Sequence, residues 1–518
     1  MRLRLVIAGL VVATVAAALF AAYLVWDLRP ERIEERVIAA LIARFNSHVT
    51  VGSADISVFP SLTASGTDLT FRYQGRTDVP PLVTIPSFAA AAPISGLLGE
   101  RLRIASVRLE GLQIYMPPDR LKSDIGGSAP RQEFRGKIPD LFIDEIASRA
   151  ARLEIASKKP DRLPRIFEIH DLVMNDFSPN GAAKFQAGVT NPIPRGRVET
   201  NGTFGPWQAD EPRLTPVSGQ YSFKDANLDD IKGIGGVLSS VGSYRGTLER
   251  IEVEGQTETP QFSIDIGGQP VPLTTKFKAV VDGTNGDTWL ERVDAMLGQS
   301  PISASGAIVR TEDVAGRRVT LDVRLQQARI EDVMRLAVNS TKPPLTGRVD
   351  LTTAFLLPQG EQDVVDRLLL NGRFSLAEAR FANVDVQKRL TSLSLKARGK
   401  EEGDPENEGA SVVSKLRGKF ALRHAVLEFE ELTFSVPGAM VQLEGTYTLH
   451  DEQLNFHGDL MVEASLSDMT SGFRSLLARL AQPFFRRKGG GTQLPIKITG
   501  PRSKPEFGLD VGRVFRRG

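Results

Sequence analysis

Between residues 416 and 466 the apolar positions of this chain fall two apart. Val441, Leu443, Gly445, Tyr447 and Leu449 form one run; Leu454, Phe456, Gly458, Leu460, Val462, Ala464 and Leu466 form the next, with polar or charged residues between them. A period of two places alternate side chains on opposite faces of a strand. The polar tetrapeptide His450-Asp451-Glu452-Gln453 separates the runs, so the pair predicts an antiparallel hairpin with one apolar and one wetted face. The same cadence predicts strands at 49–60, 62–71, 102–109, 198–204, 217–223, 248–253, 262–266, 273–281, 302–309, 321–325 and 494–499. Turn signals such as Asp282-Gly283 and Asn285-Gly286 punctuate them. The pattern predicts a mainly β chain, an elongated antiparallel meander with a few short helices.

The helical segments are few. Pro30 opens one, with Glu31, Glu34 and Glu35 near its positive end and Ile33, Val37, Ile38, Leu41, Ile42 and Phe45 along one side. Residues 143–151 read as a short helix, 228–241 as a helical turn broken by Gly233, Gly235 and Gly236, and 330–338 as a helix with Val333, Met334 and Ala337 on one side. Met469, Phe473, Leu476, Leu477 and Leu480 make the stripe of another, which ends at Pro483. A loose repeat also recurs at strand openings: Ser218-Gly-Gln-Tyr, Thr346-Gly-Arg-Val, Asn371-Gly-Arg-Phe, Arg417-Gly-Lys-Phe and Glu444-Gly-Thr-Tyr. Glycines of this kind mark strand starts or bulges where a sheet bends.

Residues 5–26 carry no charge, and at ~1.5 Å per residue they match the ~30 Å hydrocarbon core of a bilayer. A cleaved signal peptide has a shorter apolar run, and here Tyr23, Leu24, Val25 and Trp26 extend the run past the alanines, so the segment reads as a retained transmembrane helix. Arg2 and Arg4 favour an inward N-terminus, which leaves the bulk of the chain outside the cytoplasm.

Several stretches resemble a known family. The anchor and amphipathic helix are followed by VTVGSADISVFPSLTASGTDLTFR and by ISGLLGERLRIASVRLEGLQIYM, and MTSGFRSLLARLAQPFFRRKGGGTQLPIKITGPRSKPEFGLD lies near the other end. These are similar to the N- and C-terminal modules of the AsmA-like family of bacterial envelope proteins. The resemblance implies a single-pass inner-membrane protein, periplasmic in bulk, with a curled, groove-forming sheet that assists outer-membrane biogenesis by carrying phospholipid. It implies the inner membrane, phospholipid and envelope assembly proteins as partners. The expected organisation is an anchor at 1–26, an N-terminal module at 27–116, a central β region at 117–400, a charged loop at 401–409 and a C-terminal module at 410–518.

Composition narrows the chemistry. With 64 basic and 62 acidic residues the chain has no basic field of the kind nucleic acid requires, and with no cysteine it has no disulfide, thiolate site or thiol nucleophile. Three Gly-Lys pairs, at Gly136, Gly399 and Gly418, are followed by Ile138, Glu401 and Phe420 and complete no phosphate loop. The glycines at 233–236 lack the spacing of a dinucleotide fingerprint, and neither a nucleophile elbow nor a zinc-protease motif is present. His450 and His457 sit beside turns, and Asp229-Asp230 reads as the negative first turn of a helical segment. The expectation is a protein that is not an enzyme and holds neither cofactor nor metal. From residue 486 onward nine Lys or Arg stand against Glu506 and Asp510. Beside them, Phe484, Phe485, Arg486, Arg487 and Lys488 are candidates for membrane or partner contact.

The remaining question is what covers the apolar face. Short helices cannot shield so many strands, which leaves a closed sandwich with a dry core or a trough open to an apolar ligand. Periodicity alone does not choose between them. The resemblance favours the trough, and the candidate lining is Val441, Leu443, Tyr447, Leu454, Phe456, Leu460 and Val462. The alternative is a closed β scaffold that assembles outer-membrane proteins and carries no lipid, with its strand edges as the contact surface.

Overall fold

A computed structural model describes residues 47–510 apart from 58–61, 74–79, 94–100, 117–139, 156–163, 179, 207, 209–210, 266–267, 311–315, 339–342, 344, 382–393, 395–413 and 464–491. The expected anchor at 5–26, the helices at 30–45 and 469–480, the charged loop and the candidates Phe484, Phe485, Arg486, Arg487 and Lys488 lie outside the described residues. Among the described residues no helix is long and apolar enough to cross a membrane.

The chain is mainly β, as its period-two pattern predicts, and it divides into two compact units. The first comprises residues 1–230, 237–257 and 278–288; the second comprises 231–236, 258–277 and 289–518.

The first unit begins with β1 (Ser47–Thr50), β2 (Ser53–Ser57), β3 (Leu62–Tyr73), β4 (Val83–Ala92), β5 (Arg101–Glu110), β6 (Gln113–Met116), β7 (Asp140–Ile155) and β8 (Arg165–Phe177). It continues with β9 (Ala183–Pro192), β10 (Arg195–Phe204) and β11 (Pro216–Asn227). After β12 (Ile234–Gly235), which belongs to the second unit, β13 (Val237–Thr247) pairs antiparallel with β11. The division runs through β14 (Arg250–Ile264), β15 (Val271–Asp282) and β16 (Asp287–Leu297). The second unit then carries β17 (Ser300–Val309), β18 (Arg318–Arg329), helix α1 (Ile330–Ala337), β19 (Leu345–Leu357), helix α2 (Val364–Arg367) and β20 (Leu369–Phe381). It closes with β21 (Ser414–Arg423), β22 (Val426–Val436), β23 (Ala439–Thr448), β24 (Gln453–Val462), β25 (Thr492–Pro501) and β26 (Glu506–Leu509).

From β17 to β26 each strand pairs antiparallel with the next, through short turns from β21 to β24 and between β25 and β26, and through longer segments elsewhere. The first unit departs from the expectation. Strand β7 lies parallel to both β5 and β6, so the sheet is mixed. A parallel step needs a long connection, and the sequence between Met116 and Asp140 is long enough to supply one.

Four local expectations change as well. Residues 143–151 are no helix but the middle of β7: the i, i+3 spacing of Ile143 and Ile146 imitates a helical stripe, while pairing with β5 and β8 holds the backbone extended. In 228–241 a single 3-10 turn, Leu228–Asp230, precedes β12 and β13. The segments 248–253 and 262–266 merge into the one strand β14. At 49–60 the chain breaks at Gly52 into β1 and β2, both paired with β3.

One recurring device bends the strands. In FKDANL, LQQARI and LAEARF the third residue, Asp225, Gln327 or Glu378, takes a left-handed backbone with φ of 54, 50 and 55°. The next residue, Ala226, Ala328 or Ala379, is fully buried. Each coincides with a register shift, between Phe223 and Ala226, Leu325 and Ala328, and Leu376 and Ala379. The extra residue moves the inward phase on by one, so Leu321, Val323 and Leu325 are followed inward by Ala328, and the strand bends there.

The apolar faces differ in kind. Across β3 to β8 the face is a closed core: Leu69, Ile85, Ile143 and Ile146 are all at 0% exposure. In the second unit, Ile302, Val323, Leu351, Phe374 and Leu416 occupy the same inward phase and are only half-buried.

Candidate functional site: the half-exposed apolar face of the second unit

The site is built from register. In the β23–β24 ladder Val441 stands opposite Leu460, Gly445 opposite Phe456, Tyr447 opposite Leu454 and Ala439 opposite Val462. Directly opposed residues point to the same side of a sheet. All seven predicted lining residues, Leu443 opposite Gly458 among them, therefore share one face. Phe456, Leu460 and Val462 are buried, at 6, 8 and 3% exposure, whereas Val441, Leu443, Tyr447 and Leu454 are half-buried and open to solvent.

Register carries the same face sideways. Gly372 pairs with Phe420, Phe420 with Phe429, Phe429 with Gly445, Gly445 with Phe456, Phe456 with Ile498 and Ile498 with Phe507. An apolar row thus crosses every strand from β20 to the edge strand β26, where Phe507 is 71% exposed. The rings are in contact along it: the Phe429 and Phe456 centroids are 5.7 Å apart, Phe374 and Phe420 6.3 Å, and Phe374 and Phe429 6.4 Å.

Here the glycine repeat finds its role. Gly372 opposes Phe420 while Phe374 opposes Gly418, a reciprocal exchange across β20 and β21. A methyl group on Gly418 would meet the Phe374 ring at 2.9 Å, and one on Gly372 the Phe420 ring at 2.8 Å. Each ring lies over the bare backbone of its partner's glycine, so aromatic surface is laid flat where an ordinary pair would stand. The first unit repeats the exchange with Gly219 against Tyr244 and Tyr221 against Gly242. Of the five repeat glycines, Gly347 alone sits at a register shift; the others lie within strands. The sequence signal was Gly-x-Phe or Gly-x-Tyr, and its meaning needed the pairing.

Helix α1 packs on this face. Ile330 and Val333 of α1 pack on Leu325, Ala328, Leu345 and Val349 at one end of the strands. The buried Asp332 carboxylate anchors the helix by accepting bonds from Ser300 Oγ at 2.7 Å and the Gln299 backbone N–H at 3.0 Å. The Gln269 N–H donates to the Arg335 carbonyl of α1 at 2.7 Å, and the Gly233 N–H donates to Asp265 Oδ2 at 2.8 Å. Lys232 Nζ then reaches Asp363 Oδ1 at 2.6 Å, beside α2 at the opposite end of β19. Within α2, Asp366 Oδ1 lies 2.6 Å from His450 Nε2 at the β23–β24 turn.

The rim is charged and balanced. Lys232 bonds Asp363 and holds its carboxyl below the ordinary value, while Glu452, bonded to Arg502 at 2.8 Å, holds that guanidinium above its own. Burial, then the Glu452 charge, pushes the Tyr447 phenol upward, against the bond it shares with Arg502. His450 is committed to Asp366, and His457 Nδ1 to Asp510 Oδ2 at 2.8 Å. Among the described residues no three His, Cys, Asp or Glu gather as a metal site.

A separate cleft of about 1010 Å³ lies in the first unit, lined by polar-face residues including Arg108, Glu110, Glu145, Arg149, Arg197 and Glu199. Its charges are mixed, and Arg197 pairs with Glu199 at 3.2 Å. No family model and no curated protein matches this sequence.

Proposed function

We propose that this protein is a membrane-anchored envelope protein whose second unit shields lipid acyl chains on its apolar face, supporting outer-membrane biogenesis and phospholipid transfer. One observation carries the reading. From β20 to β26 an apolar row carrying Phe420, Phe429, Phe456 and Phe507 crosses every strand, and Val441, Leu443, Tyr447 and Leu454 on the same face are only half-buried, where a sandwich core would be dry. A chain of this length has ample means to bury such a face, as β3 to β8 do. An acyl chain laid along the row gains ~0.8 kcal/mol per methylene removed from water, so a dozen methylenes outweigh the cost of immobilising the lipid. The mechanism is non-covalent: tails slide on the lining, head groups stay at the charged rim, and no residue acts catalytically. The AsmA-like resemblance and the apolar segment at 5–26, which would tether the unit beside the inner membrane and leave it in the periplasm, support the same reading.

Mass spectrometry of lipid extracted from the purified protein tests it. Phospholipid is expected to co-purify, and Leu443→Asp with Phe456→Asp to remove most of it. Undiminished lipid on the folded double variant refutes the groove.

A second reading rests on β26. Its Phe507 projects from an edge strand, and a partner strand added there would continue the sheet, as an assembly factor for outer-membrane proteins would require. Lipid-free protein that captures an outer-membrane protein through this edge would favour it.

A further inference from the structure

We infer that the cleft of the first unit is a binding site for a neutral oligosaccharide, laid across the strands on the face opposite that unit's core. The cleft lies wholly within the first unit and shares no residue with the apolar face of the second, so it stands or fails apart from the lipid reading.

Register builds the site. Glu110 stands opposite Arg149, Arg149 opposite Asp171, Asp171 opposite Gly188, Gly188 opposite Glu199 and Glu199 opposite Ser222. A second row runs beside the first, from Arg108 through Ala147, Val173, Gln186 and Asn201 to Gln220. Between the rows fall Leu109, Ser148 and Leu172, which are buried, so both rows face away from the core. All twelve residues line the one cleft of about 1010 Å³. With ~4.8 Å between neighbours, the six strands β5, β7, β8, β9, β10 and β11 extend it over about 24 Å.

Gly188 gives the cleft its depth. At Gly202, Gly219 and Gly242 an added methyl group would run into a neighbouring strand or a tyrosine ring, so packing demands glycine there. At Gly188 it would meet nothing within 4 Å, and the backbone takes no left-handed φ. Glycine weakens a strand interior, and here the fold gains nothing in exchange. What it leaves is open floor between the carboxylates of Asp171 and Glu199, next to the short side chains of Ala147 and Val173.

The walls carry unspent hydrogen-bonding groups of both kinds. Arg197 is committed to Glu199, but among the described residues the side chains of Arg108, Glu110, Glu145, Arg149, Asp171 and the carboxamide ladder Gln186–Asn201–Gln220 make no hydrogen bond or ion pair. Three guanidinium groups stand against four carboxylates, a balance that repels a polyanion. A peptide would find no strand edge, because the backbone groups on this face are already in ladders. A sugar hydroxyl donates and accepts at once, and planar carboxylate, carboxamide and guanidinium groups side by side answer both needs.

Full-length protein in a detergent without a sugar head group is titrated calorimetrically with maltoheptaose, cellohexaose and chitohexaose, and with dextran sulfate as the polyanion. At least one neutral oligosaccharide should bind at a single site. Gly188→Ile should weaken that binding at least tenfold while its urea midpoint stays at or above the parent's, and Asn201→Ala should weaken it at least threefold. Failure of all three neutral sugars to bind overturns the site, as does equal affinity in Gly188→Ile. A lowered urea midpoint in Gly188→Ile overturns the claim that this glycine serves a ligand and not the fold. Dextran sulfate binding that Gly188→Ile abolishes would assign the cleft to a polyanion and overturn the neutral ligand.

Discussion

Adding one methyl group at Gly418 tests whether the flat aromatic lining depends on glycine. In Gly418→Ala the new Cβ would sit 2.9 Å from Phe374 Cε1 and 2.9 Å from the Glu431 carbonyl oxygen. The carbonyl belongs to the β21–β22 ladder and cannot retreat, so the ring must tilt or lift. Overpacking of this kind costs about 1–3 kcal/mol, and replacing glycine inside a strand returns roughly 0.5–1 kcal/mol of backbone entropy. The net expectation is a loss of about 0.5–2 kcal/mol. Phe374→Ala alone forfeits part of the ~3–5 kcal/mol seen for a fully buried ring, because Phe374 is half-buried. Combined with Phe374→Ala, the Gly418→Ala change meets no ring, so the double variant should be more stable than the sum of the singles by about 1 kcal/mol. Urea midpoints of the four proteins, with slopes compared to check that the same transition is followed, measure this coupling. Additivity within about 0.3 kcal/mol would mean that ring and glycine do not constrain each other, and the account of the lining would be wrong.

Asp332→Ala should cost about 2–4 kcal/mol, because Ser300 Oγ and the Gln299 N–H lose a charged acceptor; a urea midpoint unchanged from the parent refutes the anchoring of α1. Ala328→Leu and Ala379→Leu, at positions with 0% exposure beside the bulges, should each destabilise by at least 1–3 kcal/mol in the same measurement, whereas the exposed neighbours Gln326→Leu and Ala377→Leu should stay within about 0.5 kcal/mol. Burial raises the Tyr221 and Tyr244 phenols above their ordinary value, against opposing bonds to Ser240 and Thr200. For such groups stability is intact below the unfolded value of ~10 and is lost as pH rises through the folded one, so thermal midpoints should fall above pH ~10 and fall less when Tyr221→Phe and Tyr244→Phe are combined.

Much of this architecture was legible in the chain itself. Period-two alternation around 441–462 is a local property, set by which side of the backbone each residue projects from, and it placed both strands of that hairpin and put all seven lining residues on one face. The Gly-x-Phe and Gly-x-Tyr repeat was visible too, but its purpose was not, because Gly372 meets Phe420 only after β20 and β21 pair across the intervening residues 382–413. Pairing also overrode the helix-like spacing of Ile143 and Ile146, and it set the parallel step of β7, since a strand takes its direction from the neighbours it hydrogen-bonds. The bulges at Asp225, Gln327 and Glu378 shift the inward phase by one residue, which an alternation count reads as noise. Above all, alternation says that a face is apolar but not whether anything lies upon it. Burial is a property of what packs from elsewhere: Leu69 and Leu443 both belong to apolar faces of alternating strands, and only the tertiary structure closed the surface over one and left the other half-buried.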